Sequence, residues 1–275
     1  MARAIEQIER DIVALEETVQ AIATELHSAY TIYLTALGQA VRQQLILASY
    51  HLCTQGYPKA FLSLPFSQRQ ELQQDIRKLG QNAAEQLVAH IKSREDKDES
   101  QEPEDRSIRT EVKIFNSLSA LPALASNPMD LAQWQQNLEQ VIASTLKMAA
   151  RETNRLLQQA GILPSKLPPP VLEVALEASE ASGEAVAGSP PNLLNLVIET
   201  ENHQESGESS VTHIIAIKLR LSEIEFADAT VRAGRNQIRN LEVKARSLLR
   251  EYLKKQQERE VAEAEAAWRA SWFDE

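Results

Sequence analysis

Several residue types on which α/β enzymes depend are scarce in this chain of 275 residues. Glycine occurs only 8 times, no two glycines stand two residues apart, and no G-K-[ST] triplet is present. The sequence motifs of dinucleotide and P-loop phosphate sites are therefore absent. Aromatic residues make up only 5% of the chain. Because α/β enzymes use glycine in turns and phosphate loops, this composition favours a mainly helical protein.

Cysteine and long apolar runs are also nearly missing. The single cysteine, Cys53, excludes an intramolecular disulfide, which suits a reducing compartment. No stretch of about 18 uncharged apolar residues occurs, and the first residues contain Glu6 and Glu9 rather than an apolar signal segment. We therefore expect a soluble cytoplasmic protein with no membrane span.

The charge balance and the scattered histidines exclude further function classes. A net charge of -10 disfavours binding of nucleic acid or anionic membrane by the chain as a whole, although a local basic face stays open. His51 and Cys53 would point about 200° apart on a helix, and the loop around His203 reads better as solvated than as a cation site. We predict no catalytic residue, no metal site and no cofactor, hence a protein that is not an enzyme.

Two seven-residue repeats dominate the ends of the chain. Each has a second apolar position three residues after the first, which is the pattern of a coiled-coil seam. The N-terminal seam consists of Ile5, Ile12, Val19, Leu26 and Tyr33 with Ile8, Leu15, Ile22, Ala29 and Ala36. The C-terminal seam consists of Ile224, Val231, Ile238, Ala245 and Tyr252 with Ala227, Gly234, Leu241 and Leu248.

Antiparallel pairing of the two seams places large residues opposite small ones. In one register Leu26 faces Gly234 and Leu15 faces Ala245, which fills space without strain. The fold class predicted is mainly α: a long antiparallel coiled-coil hairpin formed by the N- and C-terminal helices, with an inserted helical head and one small β-hairpin. A homodimer in which the N-terminal seams pair between chains is the alternative.

Composition shifts along the chain predict seven segments. Alternating apolar residues on both sides of a polar loop indicate the β-hairpin, and the charged stretch before residue 112 indicates a linker. The segments are an N-terminal rod helix 1–54, a connector and head helix 55–92, an acidic linker 93–111, head helices 112–162, a Pro-rich linker 163–192, the β-hairpin 193–221 and a C-terminal rod helix 222–275.

The end of the C-terminal helix carries the best candidate for a functional site. Trp268 and Trp272 stand four residues apart and so share a helix face, with Arg269 and Phe273 beside them. Aromatic anchors with an arginine match the composition of binding hot spots. The site would contact a protein partner or a second copy of the chain; the alternative is that the tail folds back onto Ile5 or Ile8.

A second candidate is a basic stripe on the same helix. Arg232, Arg239 and Arg246 occupy one outward heptad position and could bind an acidic helix or RNA, although a solvated face is the favoured interpretation.

The favoured function is a non-enzymatic scaffold or adaptor that binds a protein partner through the aromatic end. The order of helix, central region with hairpin, and helix resembles in topology prefoldin subunits and the central-stalk subunits of rotary ATPases, which also join their two ends into a coiled coil. The resemblance implies a chaperone-type or stalk-like assembly subunit as an alternative, carries over no functional residue, and leaves a homo-oligomer open.

Overall fold

The structure, a computed structural model, describes residues 2–91, 127–164, 190–201 and 209–272. These residues are mainly helical and contain one two-stranded antiparallel sheet, as expected from the sequence. The predicted acidic linker 93–111 and most of the predicted Pro-rich linker lie outside the described residues.

The described residues form six α-helices and two strands. In chain order they are α1 (Ala2–His51), a π-helical turn (Leu52–Gly56), α2 (Pro58–Ser63), α3 (Phe66–Ala89), α4 (Pro128–Gln159), β1 (Leu193–Glu201), β2 (Ser209–Ile217), α5 (Leu221–Ala227) and α6 (Ala229–Ala270).

The chain divides into two compact units, and four of the helices contribute residues to both. Unit 1 consists of Met1–Tyr33, Ala89–Gln140 and Ala233–Glu275. Unit 2 consists of Leu34–Val88 and Val141–Arg232. Each unit has its own buried apolar residues.

In unit 1, contacts between α1 and α6 run in opposite directions along the two helices. Lys255 Nζ lies 3.0 Å from a carboxylate oxygen of Asp11, and the Tyr252 hydroxyl donates to Glu16 at 3.3 Å. Farther along α1, Tyr33 packs against Gly234. The two segments therefore meet as an antiparallel helical hairpin does. Their buried seam residues are Ile12, Val19, Ile22, Leu26, Ala29 and Tyr33 on α1, with Gly234, Ile238, Leu241 and Tyr252 on α6.

The predicted register of this pairing is wrong by one heptad. A Cβ added to Gly234 would lie 3.3 Å from the side chain of Tyr33, so Tyr33 occupies the place expected for Leu26, seven residues earlier. A pattern that repeats every seven residues looks the same after a seven-residue shift, so the seam does not discriminate between the two registers.

In unit 2, α1 and α3 approach each other closely in antiparallel directions. A Cβ added to Gly38 would lie 3.0 Å from the Cα of Ala84, and Gly80 lies against Arg42. Such a distance is tighter than most real Cβ contacts, so glycine at position 38 lets the two helices approach this closely without a shift of Ala84.

The sheet of unit 2 pairs Leu193 with Ile217, and side chains satisfy the outer edge of β2. Asn154 on α4 accepts from the Ile217 N–H at 2.9 Å and donates to the Ile217 carbonyl at 2.8 Å. The Tyr57 hydroxyl accepts from the Ile215 N–H at 2.9 Å. A two-stranded hairpin alone is marginal in water, so these bonds hold it on the helices.

The long terminal helices differ in detail from the expectation. The C-terminal helix is interrupted at Asp228, whose side chain accepts from the backbone N–H groups of Thr230 and Val231 at 2.8 and 3.1 Å. This is an N-cap, so α6 begins as a new helix. The connector after Gly56 also contains the short helix α2, which the apolar composition did not predict.

Candidate functional site

The end of α6 presents two exposed tryptophans. Trp268 and Trp272 have 67% and 66% of their surface exposed, and their ring centroids lie 6.0 Å apart. The last turn is closed by hydrogen bonds from the Ser271 N–H to the Ala267 carbonyl and from the Ser271 hydroxyl to the Trp268 carbonyl. The structure therefore brings the two predicted anchors together on one turn.

A longer apolar stripe includes these tryptophans. Val261 is also exposed and lies seven residues before Trp268, so it shares the helix face. Between them Glu265 pairs with Arg269 at 3.4 Å. We call Val261, Glu265, Trp268, Arg269 and Trp272 the aromatic tip. Phe273, the fourth predicted contact, lies outside the described residues.

The predicted alternative, a tail folded back onto Ile5 or Ile8, is not what the described residues show. Both indoles keep about two thirds of their surface exposed, so residues 2–91, 127–164, 190–201 and 209–272 cover only the remaining third. The aromatic tip of the described chain is thus available for contact with another molecule.

The basic stripe is exposed as well. Arg246 pairs with Glu242 at 3.5 Å, an exposed i, i+4 pair of small energetic value. Arg239, in unit 1, and Arg232, in unit 2, make no ion pair or side-chain hydrogen bond with any described residue. These two guanidinium groups are solvated.

Unit 1 contains a buried polar cluster that the sequence patterns did not predict. Arg235 is only 8% exposed and donates to both carboxylate oxygens of Glu139, at 2.6 and 3.1 Å, and to the Tyr33 hydroxyl at 2.6 Å. Tyr30 donates to Glu139 at 2.9 Å, and burial beside this carboxylate raises the pKa of Tyr30. We call these four residues the Arg235 cluster.

The Arg235 cluster accounts for the observed register. Arg235 is not one of the residues that the sequence predicted as a site, and its guanidinium carbon lies 4.5 Å from the Tyr33 ring centroid. A buried guanidinium requires partners of fixed geometry, which apolar seams do not. The available signal was Arg235 directly after the seam glycine, with Tyr30 and Tyr33 one turn apart on α1.

Two classes of site are not found among the described residues. No group of three or more His, Cys, Asp or Glu side chains there could hold a metal ion. Within the same ranges no helix is long and apolar enough to cross a membrane. Cys53 is buried, and burial raises its pKa to about 11, so at neutral pH it is a protonated thiol and a poor nucleophile.

Comparison with protein-family models, with curated proteins and with solved structures found no match.

Proposed function

We propose that this protein is a non-enzymatic scaffold or adaptor in which an antiparallel coiled-coil hairpin presents the aromatic tip to a protein partner. The observation that carries the proposal is the pair of exposed indoles, 6.0 Å apart, at the end of α6, with Trp268 in the helix and Trp272 two residues beyond it. Exposed tryptophans are uncommon on soluble proteins and frequent in binding hot spots.

The coiled-coil part of the proposal is supported by burial at heptad spacing. On α1 the buried residues at seven-residue intervals are Ile12, Val19, Leu26 and Tyr33. On α6 the buried residues Ile238 and Tyr252 stand two heptads apart. The Asp11–Lys255 pair flanks this seam, and hydrogen bonds from Lys255 and Gln7 lower the pKa of Asp11. Charged flanking residues are the usual means of setting partner and orientation in coiled coils.

The chemistry of the aromatic tip defines the partner's surface. Each indole offers a large apolar face and one N–H donor, so the complementary surface is an apolar groove with a carbonyl or hydroxyl acceptor. The Glu265–Arg269 pair leaves the tip with no net charge from these two residues. We therefore expect affinity to depend weakly on salt.

The test is recovery of bound proteins by the tagged full chain and by a Trp268→Ala, Trp272→Ala double variant. A partner that binds through the aromatic tip is lost from the variant, with affinity reduced by roughly a hundredfold or more. Phe226→Ala is the matched control, because Phe226 is an aromatic residue 79% exposed on α5. Equal recovery by all three proteins would rule out the aromatic tip as the contact.

Self-association through the aromatic tip is separated by light scattering. A tip-mediated dimer of the full chain becomes a monomer in the double variant and remains a dimer in the Phe226→Ala control. A dimer that survives the double variant would instead point to pairing of the N-terminal seams between chains.

A second candidate function is association with nucleic acid through the basic stripe. The observation that favours it is the exposure of Arg232 and Arg239, neither of which pairs with a described acid. Binding of RNA or DNA at ~50 mM salt that weakens on Arg232→Glu, Arg239→Glu and Arg246→Glu substitution would support this function. No binding under these conditions would eliminate it.

A further inference from the structure

A half-open pocket in unit 2 is not used by the proposed function. It lies among the end of α1, the π-helical turn, α2 and α3, and its volume is about 320 Å³. This volume is at the lower end of the roughly 300–1,000 Å³ typical of small-molecule sites. The pocket is therefore large enough for a small organic ligand.

The floor of the pocket is apolar. Cys53, Leu72 and Ile76 are all buried, and the thiol of Cys53 is the most polar group they contribute. Ser49 also lines the floor, but its hydroxyl already donates to the Leu45 carbonyl at 2.8 Å. No lining group of the floor requires a polar ligand atom, so hydrocarbon suits it best.

The mouth of the pocket is polar and carries one charge. Tyr50, Thr54, Gln73 and Arg77 are the exposed lining residues. Among the described residues that line the pocket Arg77 is the only charged one, and it makes no ion pair or hydrogen bond with a described residue. An unpaired guanidinium at an apolar cavity is complementary to a carboxylate or a similar anion.

One wall of the pocket is held in place by Arg69. Its guanidinium donates to the carbonyls of Leu64 and Leu62 at 2.8 and 3.0 Å and lies 5.7 Å from the ring centroid of Phe61, a lining residue on α2. The π-helical turn contributes Cys53 and Thr54 to the lining and is a rare local structure that is frequent at functional sites. The cavity is thus preformed, which lowers the free-energy cost of binding.

We propose that this pocket binds a small anionic amphiphile, a fatty-acid-like carboxylate whose chain lies on the Cys53 floor and whose headgroup pairs with Arg77. The proposal is independent of the aromatic tip. It assigns unit 2 a ligand that neither a scaffold nor a nucleic-acid-binding function requires.

The experiment uses the full chain and its single cysteine as a reporter. Alkylation of Cys53 by a maleimide is followed at increasing concentrations of monomeric decanoate, and binding is measured in parallel by calorimetry. We expect decanoate to slow alkylation and to bind about tenfold more tightly than octanoate, because two further methylenes are buried. Decyltrimethylammonium, which has the same chain and the opposite charge, is expected to protect Cys53 at least tenfold less effectively.

Two charge variants test the headgroup contact. Arg77→Gln is expected to weaken decanoate binding about tenfold and to leave the binding of neutral decanol unchanged. Lys78→Gln is the matched control, because Lys78 is the next residue on α3, is exposed, pairs with Asp75 and does not line the pocket. Both substitutions are on the surface of a helix and both side chains tolerate glutamine there.

Four results would overturn the proposal. They are no protection of Cys53 by any of these compounds, equal protection by the anion and the cation, an effect of Lys78→Gln as large as that of Arg77→Gln, or protection by anionic lipid vesicles but not by free decanoate. The last result would assign the pocket to a membrane surface.

Discussion

The two units of this protein satisfy their buried polar groups in different ways. Unit 1 encloses a charged pair, Arg235 with Glu139, between apolar seams that by themselves fit in more than one register. Unit 2 uses neutral amides that bind the backbone, as Asn154 does at β2. A buried ion pair selects among similar packings, whereas an amide completes the hydrogen bonding of an edge strand. The ion pair of unit 1 determines the register of its helices, and the amide of unit 2 determines whether the small sheet forms at all.

Asn192 is the clearest example in unit 2 of a buried amide that binds the backbone. It is buried, adopts a left-handed backbone conformation with φ 60°, and its side chain donates to Gln44 at 3.1 Å and accepts from the Arg220 N–H at 3.0 Å. Its own N–H donates to the carboxylate of Glu223. Asparagine tolerates this conformation better than most residues, so one side chain both turns the chain and connects the ends of the hairpin to helices.

The largest expected effect comes from breaking the Arg235 cluster. Glu139→Ala leaves a buried guanidinium without its carboxylate and should lower the free energy of unfolding by about 3 kcal/mol, at the lower end of the usual range because Glu139 is itself about one third exposed. Urea unfolding measures this change. Combining it with Arg235→Met should recover most of the loss, since an apolar pair needs no partner.

The control for that substitution is Glu251→Ala, an exposed position on α6 whose carboxylate pairs with no described residue. If Glu139→Ala and Glu251→Ala have the same small effect, the Arg235 cluster does not stabilise unit 1. The double variant also tests register: without the charged pair, crosslinks between Leu26→Cys and Gly234→Cys, made in a Cys53→Ser background, should begin to appear.

The corresponding change in unit 2 is Asn154→Leu. It removes two hydrogen bonds to Ile217 and leaves a buried N–H and a buried carbonyl unsatisfied, which should cost about 2–3 kcal/mol. Hydrogen exchange of the Ile217 amide should accelerate more than that of amides in unit 1. Asn240→Leu, at an exposed position on α6, is the control. Uniform acceleration across both units would show that the sheet is not a local feature of unit 2.

Alkaline pH should lower the stability of unit 2 through the buried thiol of Cys53. Burial raises the pKa of Cys53 from 9.0 to about 11, so its folded form keeps a proton that the unfolded chain loses. The resulting contribution is fully present below pH about 9 and is lost as the pH rises toward 11, with a total of about 2–3 kcal/mol. Urea unfolding of Cys53→Ala should show a flatter dependence over this window; an unchanged slope would assign the loss to other groups.

The smallest expected effect is at the break before α6. Asp228→Ala removes the acceptor for the N–H groups of Thr230 and Val231 and should cost about 1 kcal/mol. Asp228→Ser, which keeps an N-cap acceptor, should restore most of this loss. A more stable Asp228→Ala variant would mean that the break is imposed by other contacts and that a continuous helix is preferred locally.

Several elements were predictable from the sequence because their cause is local. The heptad repeats predicted both long helices, and alternating apolar residues with a polar loop predicted the hairpin at Leu193–Ile217. The four-residue spacing of Trp268 and Trp272 predicted that they share a face. In each case residues near one another in sequence carry the whole signal.

Other features depend on residues far apart in sequence. The pocket near Cys53 forms where α1, α2 and α3 meet, so no residue spacing within one helix predicts it. In the sequence Gly38 is an ordinary helix position, and only its contact with Ala84 on α3 shows why glycine is needed there. The buried position of Arg235 depends on Glu139, 96 residues away in the sequence, so no local pattern predicts it.

The sequence by itself determined a helical protein with two seamed ends, a small hairpin and an aromatic end on the last helix, because hydrophobic periodicity specifies which face each element buries. Only the tertiary structure decided which turn of α6 lies beside which turn of α1. The seams are equivalent after a shift of one heptad, whereas the hydrogen bonds of Arg235 with Glu139 and Tyr33 can be made in only one register.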